Sequence, residues 1–150
     1  MAGKIDKFEY DWARLVFNGV AITNVAATAG TTSWWIALMT ADPGEPGSTA
    51  AEGGYTEYTR IKTDRSSAAS TGWGVSSGTG AANATVAPVT NVDFPENLTT
   101  STGTFTHFGV YPSSNAQASS GLYFGTLSPN VNFGQNVTPR VTTGSSITED

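Results

Sequence analysis

Apolar positions change period twice along the chain. Phe8, Trp12, Leu15 and Val16 fall at i, i+4, i+7 and i+8, one stripe on a helix of 3.6-residue period. Asp6 and Glu9 have the spacing of a capping box, Ile5 and Tyr10 are placed for a hydrophobic staple, and Gly19 marks a stop. A helix of about twelve residues is marginal alone and needs a surface to lie on. After an unpatterned connector, the period drops to two. Residues 33–40 form a dense apolar strand ending in Asp42-Pro43-Gly44, where Pro43 presets φ and Gly44 tolerates a positive one. Residues 55–63 alternate Tyr55, Glu57, Thr59 and Ile61 against Thr56, Tyr58, Arg60 and Lys62, a second strand pattern.

Further short strands are expected at 85–89, 91–94, 104–111, 121–127 and 136–143, separated mostly by Pro, Asn or Gly. Residues 41–54, 112–120 and 128–134 read as polar loops, and 64–82 as an exposed hairpin or loop around Trp73. This spacing predicts a mainly β fold: an antiparallel β-sandwich or barrel with one short N-terminal amphipathic helix. The helix takes 1–19 and a single β-sandwich domain takes 20–150. Trp34, Trp35, Phe94, Phe105, Phe108 and Phe124 are the expected core, with Trp73 as a further seed. Adjacent on one strand, Trp34 and Trp35 project to opposite faces, so one of them needs cover from the helix, a loop or a partner.

Charge narrows the partners. Six of the seven basic residues lie in the first 65 positions, and none occurs from Ser66 to Pro139. Phosphate recognition needs clustered cations, so nucleic-acid binding is not expected. No apolar run reaches the length of a membrane span, and Met1–Lys7 is not followed by the uninterrupted apolar segment of a secretory leader. The expectation is a chain made in a cytoplasm and soluble until it assembles. With no cysteine, stability must come from packing or assembly.

Reactive groups are sparse. His107 is the only histidine, and a Ser-His-Asp triad would need it, yet no Gly-x-Ser-x-Gly elbow accompanies it. Asp93 and Glu96 flank Phe94-Pro95, and Asp42 and Glu45 flank Pro43-Gly44; both pairs suit turns better than glycoside or calcium chemistry. Gly78-Thr79-Gly80 lacks the lysine of a phosphate loop. Asn-x-Thr triplets at Asn83, Asn97 and Asn136 matter only on a secretory route. No catalytic residue, metal site or cofactor is expected. Trp73, between Gly72 and Gly74, is the best candidate for an exposed ring on which a sugar could stack.

Several pieces in order carry a resemblance: the segment 7–19, the run from Trp35 to Glu45, Gly54-Tyr55-Thr56-Glu57-Tyr58-Thr59-Arg60, Asn91-Val92-Asp93-Phe94-Pro95, Thr106-His107-Phe108-Gly109-Val110-Tyr111, Gly121-Leu122-Tyr123-Phe124-Gly125-Thr126-Leu127 and the acidic end Ile147-Thr148-Glu149-Asp150. Together they resemble a family of small tailed-bacteriophage virion proteins, tail-fibre-like or minor structural. The chain departs from it at Met39, where similar proteins often carry a histidine, and in the Ser/Ala/Gly stretch 66–82. The resemblance implies a virion component without catalytic residues. The expected function is capsid decoration, a cement protein on the outer face of the head, closing as a homotrimer. Phe8, Trp12, Leu15, Val16 and Trp73 are its expected subunit or capsid contacts. Its partners would be the major capsid protein or tail proteins of the same virion. The alternative is a tail or tail-fibre component that contacts the host surface.

Overall fold

The computed structural model describes residues 2–4, 8, 12, 33–65, 70–76, 84–115 and 121–149. Within them lie ten β-strands, all paired antiparallel. The larger sheet contains β1 (Ala2–Lys4), β2 (Ser33–Met39), β3 (Ile61–Asp64), β7 (Gly103–Tyr111) and β8 (Tyr123–Phe133), in the order β1-β8-β7-β2-β3. A second sheet orders β10 (Ile147–Glu149), β5 (Ala84–Pro88) and β4 (Trp73–Ser76). A two-stranded ribbon joins β6 (Val92–Asp93) to β9 (Arg140–Val141). The fold is mainly β and antiparallel, as the period-two pattern predicts. The predicted helix over 1–19 is corrected at its start, where Ala2–Lys4 form β1 and pair with β8; of the rest only Phe8 and Trp12, whose backbone is helical, are among the described residues.

Alternation along β2 sorts its side chains. Trp34, Ile36 and Leu38 meet the main core, whereas Trp35, Ala37 and Met39 join Tyr111 on the opposite face. All three sheets feed the main core: Phe105, Val110, Leu127 and Phe133 from the larger one, Ile147 and Val86 from the second, Val92 and Val141 from the ribbon.

Between β7 and β8 the register shifts. Phe105 pairs with Val131 but His107 pairs with Thr126, so residues 127–130 oppose Thr106 alone. This wide bulge lets Phe105 and Phe108, an odd number of positions apart, share the core face. The expected loop at 128–134 is therefore mostly strand, since β8 continues to Phe133. Pro129 made the segment look like a break, but it falls within the bulge, where a missing ladder donor costs least.

The expected strand 55–63 is also corrected, because only Ile61–Asp64 pairs with β2. Ahead of it, Tyr55 and Tyr58 both turn inward, breaking the alternation. The Tyr58 hydroxyl accepts from the Leu38 amide at 2.8 Å and reaches the Leu38 carbonyl at 3.3 Å, bonding backbone groups that a neighbouring strand would otherwise engage. Of the expected strand 136–143, only β9 forms; Asn136 has φ of 59°, incompatible with extended pairing. The 64–82 segment contributes β4, which pairs with β5.

Phe133 shows how tightly the aromatic layer closes. A Cβ added at Gly103, its cross-strand partner, would lie 2.5 Å from the ring, and one at Gly54 would meet the same atom at the same distance. Both glycines are there for close approach. Gly103→Ala is expected to destabilise the protein by about 1–3 kcal/mol in urea unfolding, as overpacking does. Combined with Phe133→Leu, it should cost less than the sum of the two single changes.

Candidate functional site

A cleft of about 450 Å³ opens between the larger sheet and the other two. Ile36, Phe108, Leu127 and Val131 form one wall, and Trp73, Val86 and Ile147 the other. Hydroxyls of Ser128, Thr142, Ser145 and Ser146 edge it, together with Arg140. Apolar walls with a few polar groups are the usual make-up of a binding cleft.

Trp73 is half-buried rather than the exposed ring its flanking glycines predicted. Its indole N–H donates to the Thr63 hydroxyl at 3.0 Å, and that hydroxyl donates to the Trp34 carbonyl at 3.1 Å. The ring is thereby fixed in orientation as part of the cleft.

Arg140 faces Asp93 across the ribbon and binds it through both carboxylate oxygens: Nε to Oδ1, and Nη2 to Oδ2 at 2.9 Å. This hydrogen bonding, aided by the guanidinium charge, holds the Asp93 carboxyl below its ordinary range and pushes Arg140 up. Asp93 is thus committed to orienting Arg140, and Glu96 beside it is exposed. The other carboxylate pair also serves a turn, because Asp42 Oδ1 accepts the Gly44 amide at 2.8 Å.

Among the described residues, His107 forms no nucleophilic triad. Its Nδ1 lies 2.8 Å from the Thr106 hydroxyl, which itself donates to the Thr40 carbonyl at 3.2 Å. The hydroxyl beside the ring thus has the Thr40 carbonyl as a second partner.

Two buried polar residues escaped the sequence reading. Arg60, 5% exposed, was placed beside Lys62 on one strand face. It instead grips Glu52 through Nε and Nη2, both at 2.7 Å, and gives Nη1 to the carbonyls of Ser113 and Asn115 at 3.0 and 2.9 Å. Its guanidinium carbon also lies 3.7 Å from the centroid of the Tyr111 ring. Burial pushes the Tyr111 hydroxyl up to about 12, with Arg60 opposing the shift. Asn97, fully buried, donates to the Ser101 carbonyl at 2.7 Å and accepts from the amide and hydroxyl of Thr99. An Asn-x-Thr triplet is also a turn signal, and here that meaning holds.

Of the expected contact residues, Phe8 is buried beside Leu122, with its ring 5.6 Å from Tyr123, while Trp12 is 52% exposed. Leu15 and Val16 lie outside the described residues. Among the expected core residues, Phe94 and Phe105 are buried, Trp34 and Phe108 pack partly buried on the main core, and Trp35 packs on the opposite face. Phe124 is half-buried.

The sequence model of the family described as Podophage GP4 fiber I protein gp80 matches residues 8–148. The chain belongs to that family. None of the curated proteins matches it. Membership in the podophage fiber I family gives the chain a structural role in the virion, in agreement with its tail-fibre-like resemblance. No described helix of this fibre protein is long and apolar enough to cross a membrane.

Two outcomes check the polar anchors. Glu52→Ala is expected to cost about 3–5 kcal/mol in urea unfolding, because it leaves the Arg60 guanidinium buried without its carboxylate. The Asp93 pair acts in a different range. Its stabilisation is present above the ordinary aspartate pKa and is lost as pH falls through the depressed folded-state value. Thermal melting of Asp93→Asn should therefore fall below wild type at neutral pH and converge with it once pH falls below the depressed folded-state value.

Proposed function

We propose that the protein is a subunit of a phage tail fibre that contacts the host surface, and that the cleft walled by Trp73 is the contact site. The family describes a fibre protein. The cleft combines aromatic walls, Trp73 and Phe108, with a mouth of hydroxyls and a fixed guanidinium. A saccharide suits such a surface: its C–H faces pack on the rings while its hydroxyls bond to the mouth. The preset orientation of Arg140 by Asp93 lowers the ordering cost of such a contact.

The head-decoration reading drew its support from the marginal helix and from polar loops. Most of that helix lies outside the described residues, and the family description favours the fibre reading instead. As a fibre subunit the chain would associate with tail proteins of the same virion, and closure as a homotrimer remains part of the proposal.

Adsorption decides between these readings. Virions carrying Arg140→Ala or Ser145→Trp, the second of which fills the mouth, are expected to adsorb about tenfold more slowly, equivalent to about 1.4 kcal/mol. Head stability should be unchanged. Normal adsorption of both variants would remove the cleft as the contact site, and weakened heads would restore decoration.

A further inference from the structure

Beyond β2 the chain enters a loop, residues 41–53, whose tip is closed by its own hydrogen bonds. The Gly47 amide donates to the Gly44 carbonyl, Ser48 to Pro43 and Glu52 to Thr49. Its stem is held by the Thr40 amide on the Ala51 carbonyl at 2.9 Å and the Gly53 amide on Leu38 at 3.1 Å. Among the described residues, the polar tie from the arm 42–50 to β7 is Asp42, whose Oδ2 lies 4.0 Å from His107 Nε2.

Meeting both hydrogen bonds beside the ring at once assigns the state of that imidazole. Thr106 spends its hydroxyl proton on the Thr40 carbonyl. The hydroxyl oxygen can then only accept from His107, so Nδ1 at 2.8 Å carries a hydrogen. In the neutral ring this leaves Nε2 bare, with a lone pair directed at a carboxylate. No bond can form. A second proton converts the same contact into an ion pair. Asp42 is held ready for it, because Oδ1 is occupied by the Gly44 amide and Oδ2 is left facing the ring.

We propose that His107 and Asp42 form an acid-closed latch that fastens the 41–53 loop to β7. The other groups around the ring do not compete for it. Met39 on β2 and Thr126 on β8, its two cross-strand partners, carry no charge. Glu52, bridged to Met39, gives both carboxylate oxygens to Arg60. Glu45, in the same turn as Asp42, is exposed. Protonation of the ring therefore fastens the loop, and loss of that proton loosens it.

Hydrogen exchange of the full chain tests this, with rates corrected for intrinsic pH dependence. Amides of the 41–50 segment should be about two- to fivefold better protected at about pH 5.5 than at about pH 8, the range of a partly exposed ion pair. Asp42→Asn keeps an oxygen for the Gly44 amide and so preserves the turn, but it should abolish the pH response. His107→Gln should do the same. Thr106→Val removes the group that holds the hydrogen on Nδ1, letting the neutral ring donate from Nε2. Protection at alkaline pH should then rise toward the acid value. A pH response that survives in Asp42→Asn, or is missing from wild type, overturns the latch. An undiminished response in Thr106→Val overturns the tautomer on which it depends.

Discussion

The arrangement of the molecule depends on a stack of five aromatic rings: Tyr55, Tyr58, Phe94, Phe105 and Phe133. Tyr58 lies nearly parallel to Phe94 at 5.8 Å, Phe105 meets Phe133 at 4.7 Å, and Tyr55 stands edge-on to Tyr58 at 5.9 Å. Such contacts add roughly 0.5–1.5 kcal/mol each beyond the area they bury. They also join the segment before β3, the ribbon and the β7–β8 pair, three parts that share no ladder with one another. Tyr55 and Tyr58 come from the segment before β3, Phe94 follows β6, and Phe105 and Phe133 come from β7 and β8. The Tyr55 hydroxyl donates to the Pro95 carbonyl at 2.7 Å, so the stack carries the ribbon with it. Burial pushes the Tyr55 hydroxyl up to about 12 and that of Tyr58 higher, so both stay neutral.

Around this apolar stack the chain places a few buried polar residues, each with its partners present. Removing Arg60 and Asn97 from water is costly, and the hydrogen bonds returned only offset that cost. Their effect is better described as choice of conformation. Arg60 determines where the chain leaving β7 must pass, because only there can the Ser113 and Asn115 carbonyls reach its Nη1. Asn97 closes the turn that leads into β7, and its backbone bridges to Val137. In both cases, a polar group inside an otherwise apolar layer rules out alternative packings of the connecting segments.

What could be read from the sequence follows from how local each signal is. The strand through Trp34 and Trp35, the turn at Asp42, and β7 all carry their pattern within a few residues. The misreadings came where tertiary contacts override that pattern. Tyr55 and Tyr58 look like opposite faces of a strand, yet both rings enter the core because their turn abandons extended geometry. Pro129 signals a break that the bulge absorbs. Arg60 looks like a surface cation because nothing near it in sequence reveals that Glu52 and the 113–115 carbonyls converge on it. As for the cleft, Trp73 was legible as a candidate, but its fixed orientation was not, since Thr63 lies on another sheet.

The surplus residues on β8 give the cleft a freedom that the rest of the fold lacks. On either side of positions 127–130 the β7–β8 ladder keeps proper register, and Phe133 is seated by its two glycines independently of what happens in between. Ser128 and Pro129, at the opening, belong to that unpaired span. Changes at the exposed positions 128–130, including changes of length, would reshape the entrance without dislodging either half of the sheet. The entrance can thus vary while the framework behind it stays intact.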